Sequence, residues 1–225
     1  MLRNTVKKIE NDGGSDARVV FLGDYIDRGP DSRGVIEFLM KGRAAKKNWV
    51  FLKGNHDQMF SVFMEDCHVK MTVDFHWLDD RLGGKETLAS YGVKVDNNDY
   101  KQDVYMSTLA AVPSEHIEFL DSLPHLHQEN NQLFVHAGIR PGVPIEKQDP
   151  TDLLWIRYEF LDDKRQHPFL VVHGHTPVEK AKHYGNRVNL DTGAGYGQQL
   201  TAAVFEGDEC WLLTDTGRVP LTPPA

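Results

Sequence analysis

Four polar side chains whose types suit metal binding each follow a short apolar run and have a glycine within two positions. They are Asp24, Asn55, His136 and His175. A carboxylate, an amide oxygen and two imidazoles form a mixed oxygen and nitrogen donor set that suits manganese, iron or zinc, whereas calcium favours oxygen ligands alone. Nearby glycines let the backbone turn sharply and approach a ligand closely. The set predicts a site for a divalent cation.

Each of these residues also has a simpler explanation. A single Gly-Asp or Gly-Asn pair after a strand usually forms a turn, because the side chain hydrogen-bonds to its own backbone. A single buried histidine is more often a hydrogen-bonded core residue than a metal ligand. The repeated occurrence of a candidate ligand after each apolar run favours metal binding, because independently formed turns would not be expected to produce it.

The elements that must position these residues alternate between strands and helices. Apolar, β-branched composition predicts buried strands, and helical spacing of apolar residues predicts helices. The predicted strands are 18–22, 49–52, 132–135 and 169–172, and the predicted helices are 2–10, 35–40 and 113–120. This alternation predicts an α/β core whose polar loops gather at the carboxyl ends of the strands, where ligands tend to bind.

The remaining chain is predicted to complete a single domain spanning residues 1–225. From about residue 58 to residue 112 the pattern is helical and irregular, which indicates a mainly helical insert. Further short strands are predicted at 188–191, 201–205 and 210–213, with the last two joined as a hairpin.

Composition narrows the classes of function. The chain has 225 residues, a formal charge of −8 and 40% apolar residues, which is typical of a water-soluble globular protein. Its apolar runs are far shorter than the roughly 18 residues needed to span a bilayer, and its acidic charge argues against general nucleic-acid binding. No secretory signal is visible and there are only two cysteines, Cys67 and Cys210, so we expect a cytoplasmic protein with free thiols.

Several segments together resemble the ordered motifs of the phosphoprotein phosphatase (PPP) family, within the calcineurin-like metallophosphoesterases. The segments are GDYIDRG at 23–29, GNHD at 54–57, HAG at 136–138 and GHT at 174–176, with further similarity at 30–32, 83–92, 140–142 and 153–157. The resemblance covers most of residues 18–205. It is closest to the compact bacterial and bacteriophage serine/threonine protein phosphatases.

The resemblance implies an α/β fold of two packed mixed β-sheets flanked by helices, and two divalent metal ions, with manganese expected first and iron or zinc as alternatives. Asp24 would bridge both metals, and Asn55, His136 and His175 would complete the second metal site. His56 would be the general acid, oriented by Asp27. Two arginines, Arg28 and Arg157, would hold the phosphate oxygens while a metal-bound water attacks the phosphorus directly.

One part of the family pattern is not found in this sequence. The family normally opens with a strand and a Gly-Asp-x-His-Gly loop that binds the first metal, and the helix after that loop matches Leu2–Glu10 here. We therefore expect a missing first strand and an incomplete first metal site. Our interpretation is a truncated start.

Three functions remain open from the sequence. The first is a serine/threonine protein phosphatase acting on a phosphorylated protein or peptide, with no nucleic-acid or membrane partner. The second is a hydrolase of dinucleoside polyphosphates such as diadenosine tetraphosphate. The third is a catalytically impaired phosphate-binding or partner-binding protein. Asp27 favours the first function, because the nucleotide-cleaving relatives typically carry asparagine at that position.

Overall fold

The structure is a computed structural model that describes residues 1–70 and 75–224. Residues 71–74, which belong to the predicted insert, lie outside the described part. The chain divides into two compact units. The first, which we call the strand unit, contains Met1–Leu22, Lys47–Leu52 and Pro124–Ala225, and the second, the helical unit, contains Gly23–Lys46 and Lys53–Leu123.

Helices and strands alternate along the chain, as the sequence predicts, and the α/β class is confirmed. The helices are α1 (Leu2–Gly13), α2 (Ser32–Ala44), α3 (Asn55–Glu65), α4 (Gly84–Ser90), α5 (Lys101–Ala111), α6 (Ser114–Asp121), α7 (Pro150–Trp155) and α8 (Tyr158–Leu161). The strands are β1 (Val19–Phe21), β2 (Trp49–Phe51), β3 (Leu126–Glu129), β4 (Gln132–Val135), β5 (Leu170–His173), β6 (Lys182–His183), β7 (Arg187–Asn189), β8 (Ala203–Glu206), β9 (Glu209–Thr214) and β10 (Gly217–Pro220).

All of these strands belong to the strand unit, where they form three sheets. A parallel pair joins β1 to β2. A five-stranded sheet has the order β3-β4-β5-β7-β6, with β4, β5 and β7 parallel and the outer strands antiparallel. An antiparallel sheet has the order β10-β9-β8. Because β4 and β5 are parallel neighbours, the residues after them, including His136 and His175, leave the sheet at the same edge.

The core of the strand unit covers one face of the five-stranded sheet with α7 and α8. Leu133, Val135 and Val171 from the strands pack in one cluster with Leu153 of α7 and Phe160 of α8. Burying such side chains stabilises a fold by about 1.5–3 kcal/mol each. This packing fixes the ends of β4 and β5, and with them the loops that carry the two histidines.

The helical unit contains α2 to α6 and corresponds to more than the predicted insert, because it also takes in the loop after β1 and the helix that follows. Its core includes Leu39 of α2, Phe60 and Phe63 of α3, and Leu88 of α4. Trp77 is fully buried among them, with its ring centre 5.1 Å from that of Phe60 and 4.9 Å from that of Phe63. No helix in the described part of the chain has both the length and the apolar character that crossing a bilayer requires.

Some elements differ from the sequence-based expectation. Residues 53–57 are predicted as a loop, but α3 already begins at Asn55, because Gly54 caps the helix and the Asp57 carboxylate accepts the Gly54 N–H. The strands β3, β6 and β10 and the helices α7 and α8 are missing from the prediction. They are short, from two to six residues, and their composition gives little apolar periodicity to recognise.

Candidate active site

His56 and Asp27 form a buried pair in the helical unit. The distance from His56 Nδ1 to Asp27 Oδ2 is 2.6 Å, and both residues are almost fully buried. His56 is the second residue of α3, and Asp27 lies in the loop after β1 in the left-handed backbone region, with φ 69°. The pair has the geometry of an imidazole whose ring is oriented by a carboxylate.

Two further donors reach the same carboxylate. Trp77 Nε1 donates to Asp27 Oδ2 at 3.0 Å, and Thr87 Oγ1 donates to Asp27 Oδ1 at 2.7 Å. The sequence gives no signal for Trp77 as a donor, and we expect aromatic residues of the insert mainly to pack. A buried tryptophan N–H that needs a partner is the physical reason for the difference.

The charges around His56 favour its protonated form. Burial opposes a positive imidazole, but the carboxylates of Asp24 and Asp27 outweigh burial and raise the pKa of His56. Burial also raises the pKa of Asp27, although the hydrogen bonds from His56, Thr87 and Trp77 act to lower it. The pair therefore keeps its shared proton to a higher pH than either group would alone, which suits a group that must donate a proton.

Asp57 connects the loop after β1 to the start of α3. Its Oδ2 accepts the backbone N–H groups of Asp24 at 2.9 Å and Gly54 at 2.8 Å, and its Oδ1 accepts that of Tyr25 at 3.0 Å. Complete burial, together with the negative charge of Asp24, raises the pKa of Asp57 to about 7. The sequence places this residue inside a motif but gives it no role, and its backbone contacts are visible only in three dimensions.

Asp24 and Asn55 are the two predicted metal ligands in the helical unit. Asp24 has a left-handed backbone, with φ 57°, and its Oδ1 accepts the His56 backbone N–H at 3.0 Å. Gly54, which precedes Asn55, lies so close that a Cβ there would collide with the Asp24 carboxylate. The glycine is therefore needed for the close approach of Asp24 to the start of α3.

His136 and His175 are the two predicted ligands in the strand unit. Their ring centres are 5.2 Å apart, and the Gly174 N–H donates to the His136 carbonyl at 2.8 Å. His136 Nδ1 donates to the Leu22 carbonyl at 2.8 Å, which leaves Nε2 as the nitrogen with a lone pair. Histidine ligands of metals are commonly fixed in this way by a hydrogen bond from the other ring nitrogen. The donor types and this tautomer fit a divalent transition metal.

The two predicted phosphate-binding arginines lie in different units. Arg28 follows Asp27 in the helical unit, with φ 55°, and its backbone packs so tightly on Gly83 that a Cβ on the glycine would collide with it. Arg157 lies in the strand unit, where its Nε donates to His175 Nε2 at 3.3 Å. The structure thus groups Arg157 with the two histidines, and Arg28 with the His56–Asp27 pair.

Another group of possible metal ligands lies at the end of α3. Within the described ranges, the ligand atoms of Asp66, Cys67 and His68 all lie within 4.8 Å of one another. Cys67 Sγ is 3.6 Å from Gln102 Oε1, and Asp66 and His68 are exposed. Both cysteines are free and buried, as expected, and the sequence gives His68 no role.

Comparison with known proteins places the chain among phosphoesterases. The sequence profile described as "Calcineurin-like phosphoesterase" matches residues 2–208. A protein of Bacillus thuringiensis named asymmetrical bis(5'-nucleosyl)-tetraphosphatase PrpE is 27% identical, over 82% of this chain and 74% of the relative. A protein of Anoxybacillus flavithermus with the same name is 25% identical, over 92% of this chain and 80% of the relative.

Solved structures support the fold. A structure provisionally described as a diadenosine tetraphosphatase matches with a TM-score of 0.63 and 21% identity, over 98% of this chain and 87% of that chain. A cold-active protein-tyrosine phosphatase of a psychrophilic Shewanella matches with a TM-score of 0.63 and 15% identity, over 98% of this chain and 76% of that chain. Both share the fold of this chain, and the matched profile supports the calcineurin-like metallophosphoesterase fold expected from the sequence motifs.

The comparisons correct the expected partner. The prediction of a phosphorylated protein or peptide as substrate is wrong, because the sequence relatives are named as hydrolases of dinucleoside tetraphosphates. The physical reason is that the sequence motifs are typical of proteins that act on a phosphoryl group with divalent metals, and protein and nucleotide substrates both carry a phosphoryl group. The motifs contain little information about the group that leaves, and the aspartate at position 27 was too weak a sign to decide between the two classes.

Proposed function

The chain belongs to the calcineurin-like phosphoesterase family, and from that membership we propose that it is a hydrolase of dinucleoside tetraphosphates, of the asymmetrical kind. The family uses divalent metal ions. The observation that carries the proposal is the similarity to relatives of that name over 82% of this chain. Diadenosine tetraphosphate is the substrate we expect first.

We propose that Asp24 and Asn55, with His136 and His175, supply metal ligands, and that manganese is the ion. Divalent ions held by these residues would add positive charge around the phosphoryl oxygens and lower the pKa of bound water. The donor set supports this assignment, since it mixes oxygen and imidazole nitrogen ligands. The orientation of His136 by the Leu22 carbonyl supports it as well.

The chain's own side chains would complete the reaction. His56, with Nδ1 bound to Asp27, would donate a proton from Nε2 to the leaving oxygen. Arg28 and Arg157 would bind non-bridging phosphate oxygens, for which a guanidinium fork is well suited. A leaving nucleoside polyphosphate is a weaker base than an alkoxide, so this proton matters less for the proposed substrate than for a serine or threonine ester.

Product analysis tests the proposal. The protein is incubated with diadenosine tetraphosphate and Mn²⁺, and the nucleotides are separated by anion-exchange chromatography. Asymmetrical cleavage gives equal amounts of a nucleoside monophosphate and a nucleoside triphosphate, whereas two nucleoside diphosphates would indicate symmetrical cleavage and contradict that part of the proposal.

Control variants separate catalysis by this chain from contamination. His136→Ala should abolish turnover, and His183→Gln, at a histidine in β6 whose Nδ1 accepts only the Gly185 backbone N–H in the described part, should retain it. A protein that contains metal but leaves the tetraphosphate intact would refute the proposed activity and favour a phosphate-binding role.

A further inference from the structure

The Asp27 carboxylate is surrounded by hydrogen-bond donors from three parts of the helical unit. His56 comes from the start of α3, Trp77 from the segment before α4, and Thr87 from α4 itself. Asp27 is 5% exposed, so water cannot replace a lost partner easily. Donors to a buried carboxylate are worth more than ordinary hydrogen bonds, because the charge is otherwise unsolvated.

The hydroxyl of Thr87 has only one possible arrangement. It accepts the Asp27 backbone N–H at 2.8 Å, and it lies 2.7 Å from Asp27 Oδ1, which has no proton to give when ionised. Its single proton must therefore go to the carboxylate. The second lone pair is then available to Ser32 Oγ, 3.2 Å away, which acts as the donor. Thr87 thus binds both the backbone and the side chain of Asp27.

The indole of Trp77 is held equally firmly. Its ring lies between Phe60 and Phe63 and is fully buried. A Cβ on Gly84 would lie 2.6 Å from the Trp77 carbonyl and 2.7 Å from its ring, so the glycine at the start of α4 allows the indole this position. An indole N–H can only donate, so Trp77 occupies one side of Oδ2 and leaves the other side to His56.

These contacts determine the direction in which the imidazole faces. With Oδ1 occupied by Thr87 and one side of Oδ2 by Trp77, the remaining position on Oδ2 lies 2.6 Å from His56 Nδ1. A ring held through Nδ1 presents Nε2 away from Asp27. The segment that carries Trp77 and the helix α4 therefore both act on the His56 ring, which neither of them carries.

We propose that Trp77 and Thr87 are positioning residues for the reaction, which together clamp the Asp27 carboxylate so that His56 is held with Nε2 facing the leaving group. This rests on the proposed role of His56 as general acid. We call Asp27, Trp77 and Thr87 the Asp27 clamp. On this basis the insert contributes to catalysis through hydrogen bonds, in addition to its packing.

The dependence of kcat on the leaving group tests whether the Asp27 clamp positions the general acid. Phenyl phosphate needs protonation of its leaving oxygen far more than 4-nitrophenyl phosphate does, so a misplaced acid affects the first ester selectively. Trp77→Phe and Thr87→Val should each lower kcat on phenyl phosphate by about 10- to 100-fold, with a much smaller effect on 4-nitrophenyl phosphate and little change in KM. Thr87→Ser, which keeps the hydroxyl, should restore most of the loss.

A matched variant excludes a general loss of packing. Thr108 is a fully buried threonine of α5 whose hydroxyl donates only to the Val104 carbonyl in the described part, so Thr108→Val controls for Thr87→Val. Thr108→Val should leave the ratio of the two kcat values unchanged, and a shift equal to that of the clamp variants would overturn the proposal.

Double variants show whether the clamp acts through His56. In a His56→Asn background, Trp77→Phe and Thr87→Val should have no further effect on the ratio. A further loss in that background would mean that these residues act by another route and would refute the clamp. If His56→Asn itself has equal effects on both esters, the general-acid role fails. The NMR signal of the His56 Nδ1 proton then tests whether the Asp27 clamp holds the ring.

A spectroscopic readout is independent of turnover. With ¹⁵N-labelled histidine, the Nδ1 proton of His56 should give an exchange-protected NMR signal that disappears in His56→Asn. Trp77→Phe and Thr87→Val should shift this signal and speed its exchange, and Thr108→Val should not. An unchanged signal in both clamp variants would overturn the proposal, whether or not the protein hydrolyses either ester.

Discussion

At the scale of single residues, the site depends on buried polar groups that the motifs alone do not explain. The sequence could predict that Asp27 and His56 act together, and the structure brings them to 2.6 Å. It could not predict Asp57, Trp77 or Thr87 as partners, because each acts across 30 to 60 positions of sequence. Residue type and local spacing contain no information on such distant contacts.

Asp57→Asn should destabilise the protein by about 1–3 kcal/mol, because an amide has one acceptor oxygen for three backbone N–H groups and leaves at least one of them unsatisfied. Urea unfolding gives the free energy of unfolding for the comparison. Asp66→Asn is the matched control, since the exposed Asp66 accepts a single backbone N–H among the described residues, from His68, which an amide oxygen can also accept. Equal effects of the two substitutions would contradict a special role for Asp57.

His116 should make stability depend on pH. Burial lowers its pKa, and the Tyr91 hydroxyl lies 2.8 Å from its Nδ1 and donates to it when the ring is neutral. The folded state therefore binds fewer protons than the unfolded state. The free energy of unfolding should fall as the pH drops below about 6.5, which is the ordinary pKa of a histidine side chain. Chemical unfolding at pH 7.5 and 5.5 should show a smaller difference for His116→Gln than for the wild type. A difference of the same size in both proteins would contradict this account.

At the scale of elements, the strands with strong apolar character were predicted and the short polar ones were not. The sequence places β1, β2, β4 and β5 within a residue or two of their ends in the structure. The edge strand β3 escapes prediction because its sequence, LHQE, has no apolar alternation, and it depends on pairing with β4. Tertiary pairing of this kind is decided by the partner strand.

The contact between α4 and the Trp77 segment gives a test at this scale. Gly84→Ala should destabilise the protein by about 1–3 kcal/mol, because the added methyl group meets the Trp77 carbonyl and ring. Gly92→Ala provides a comparison. The added methyl group has open space around it, so the cost to stability comes only from the left-handed backbone, with φ 86°. Equal unfolding free energies, or a milder effect at Gly84 measured by urea titration, would show that the segment can move aside.

At the scale of the whole molecule, the motifs predicted the class of chemistry better than the substrate. The ordered segments GDYIDRG, GNHD, HAG and GHT led correctly, by resemblance, to the calcineurin-like metallophosphoesterase family, whereas the four polar side chains alone predicted only a site for a divalent cation. The motifs contain little information about the leaving group, so they did not decide between a protein and a nucleotide substrate. The single-domain organisation and the cytoplasmic location remain predictions.

Divalent metal should stabilise the folded protein as a whole. A ligand that binds only the folded state adds about 2.7 kcal/mol at 100 times its Kd, so Mn²⁺ should raise Tm and EDTA should reverse the rise. His136→Ala should lose most of this response, and His183→Gln should keep it. A thermal shift of equal size in the His136 variant would remove this histidine from the proposed ligand set.

The division of the chain into two units has a consequence for the evolution of this protein. The backbone passes between the units after Leu22, Lys46, Leu52 and Leu123, so neither unit is one continuous stretch. Gene recombination exchanges continuous stretches of coding sequence, and a cassette taken from 53–123 would leave behind Asp24, Asp27 and α2. New specificities in this lineage are therefore expected to arise by substitution or by insertion into existing loops, rather than by exchange of a whole unit.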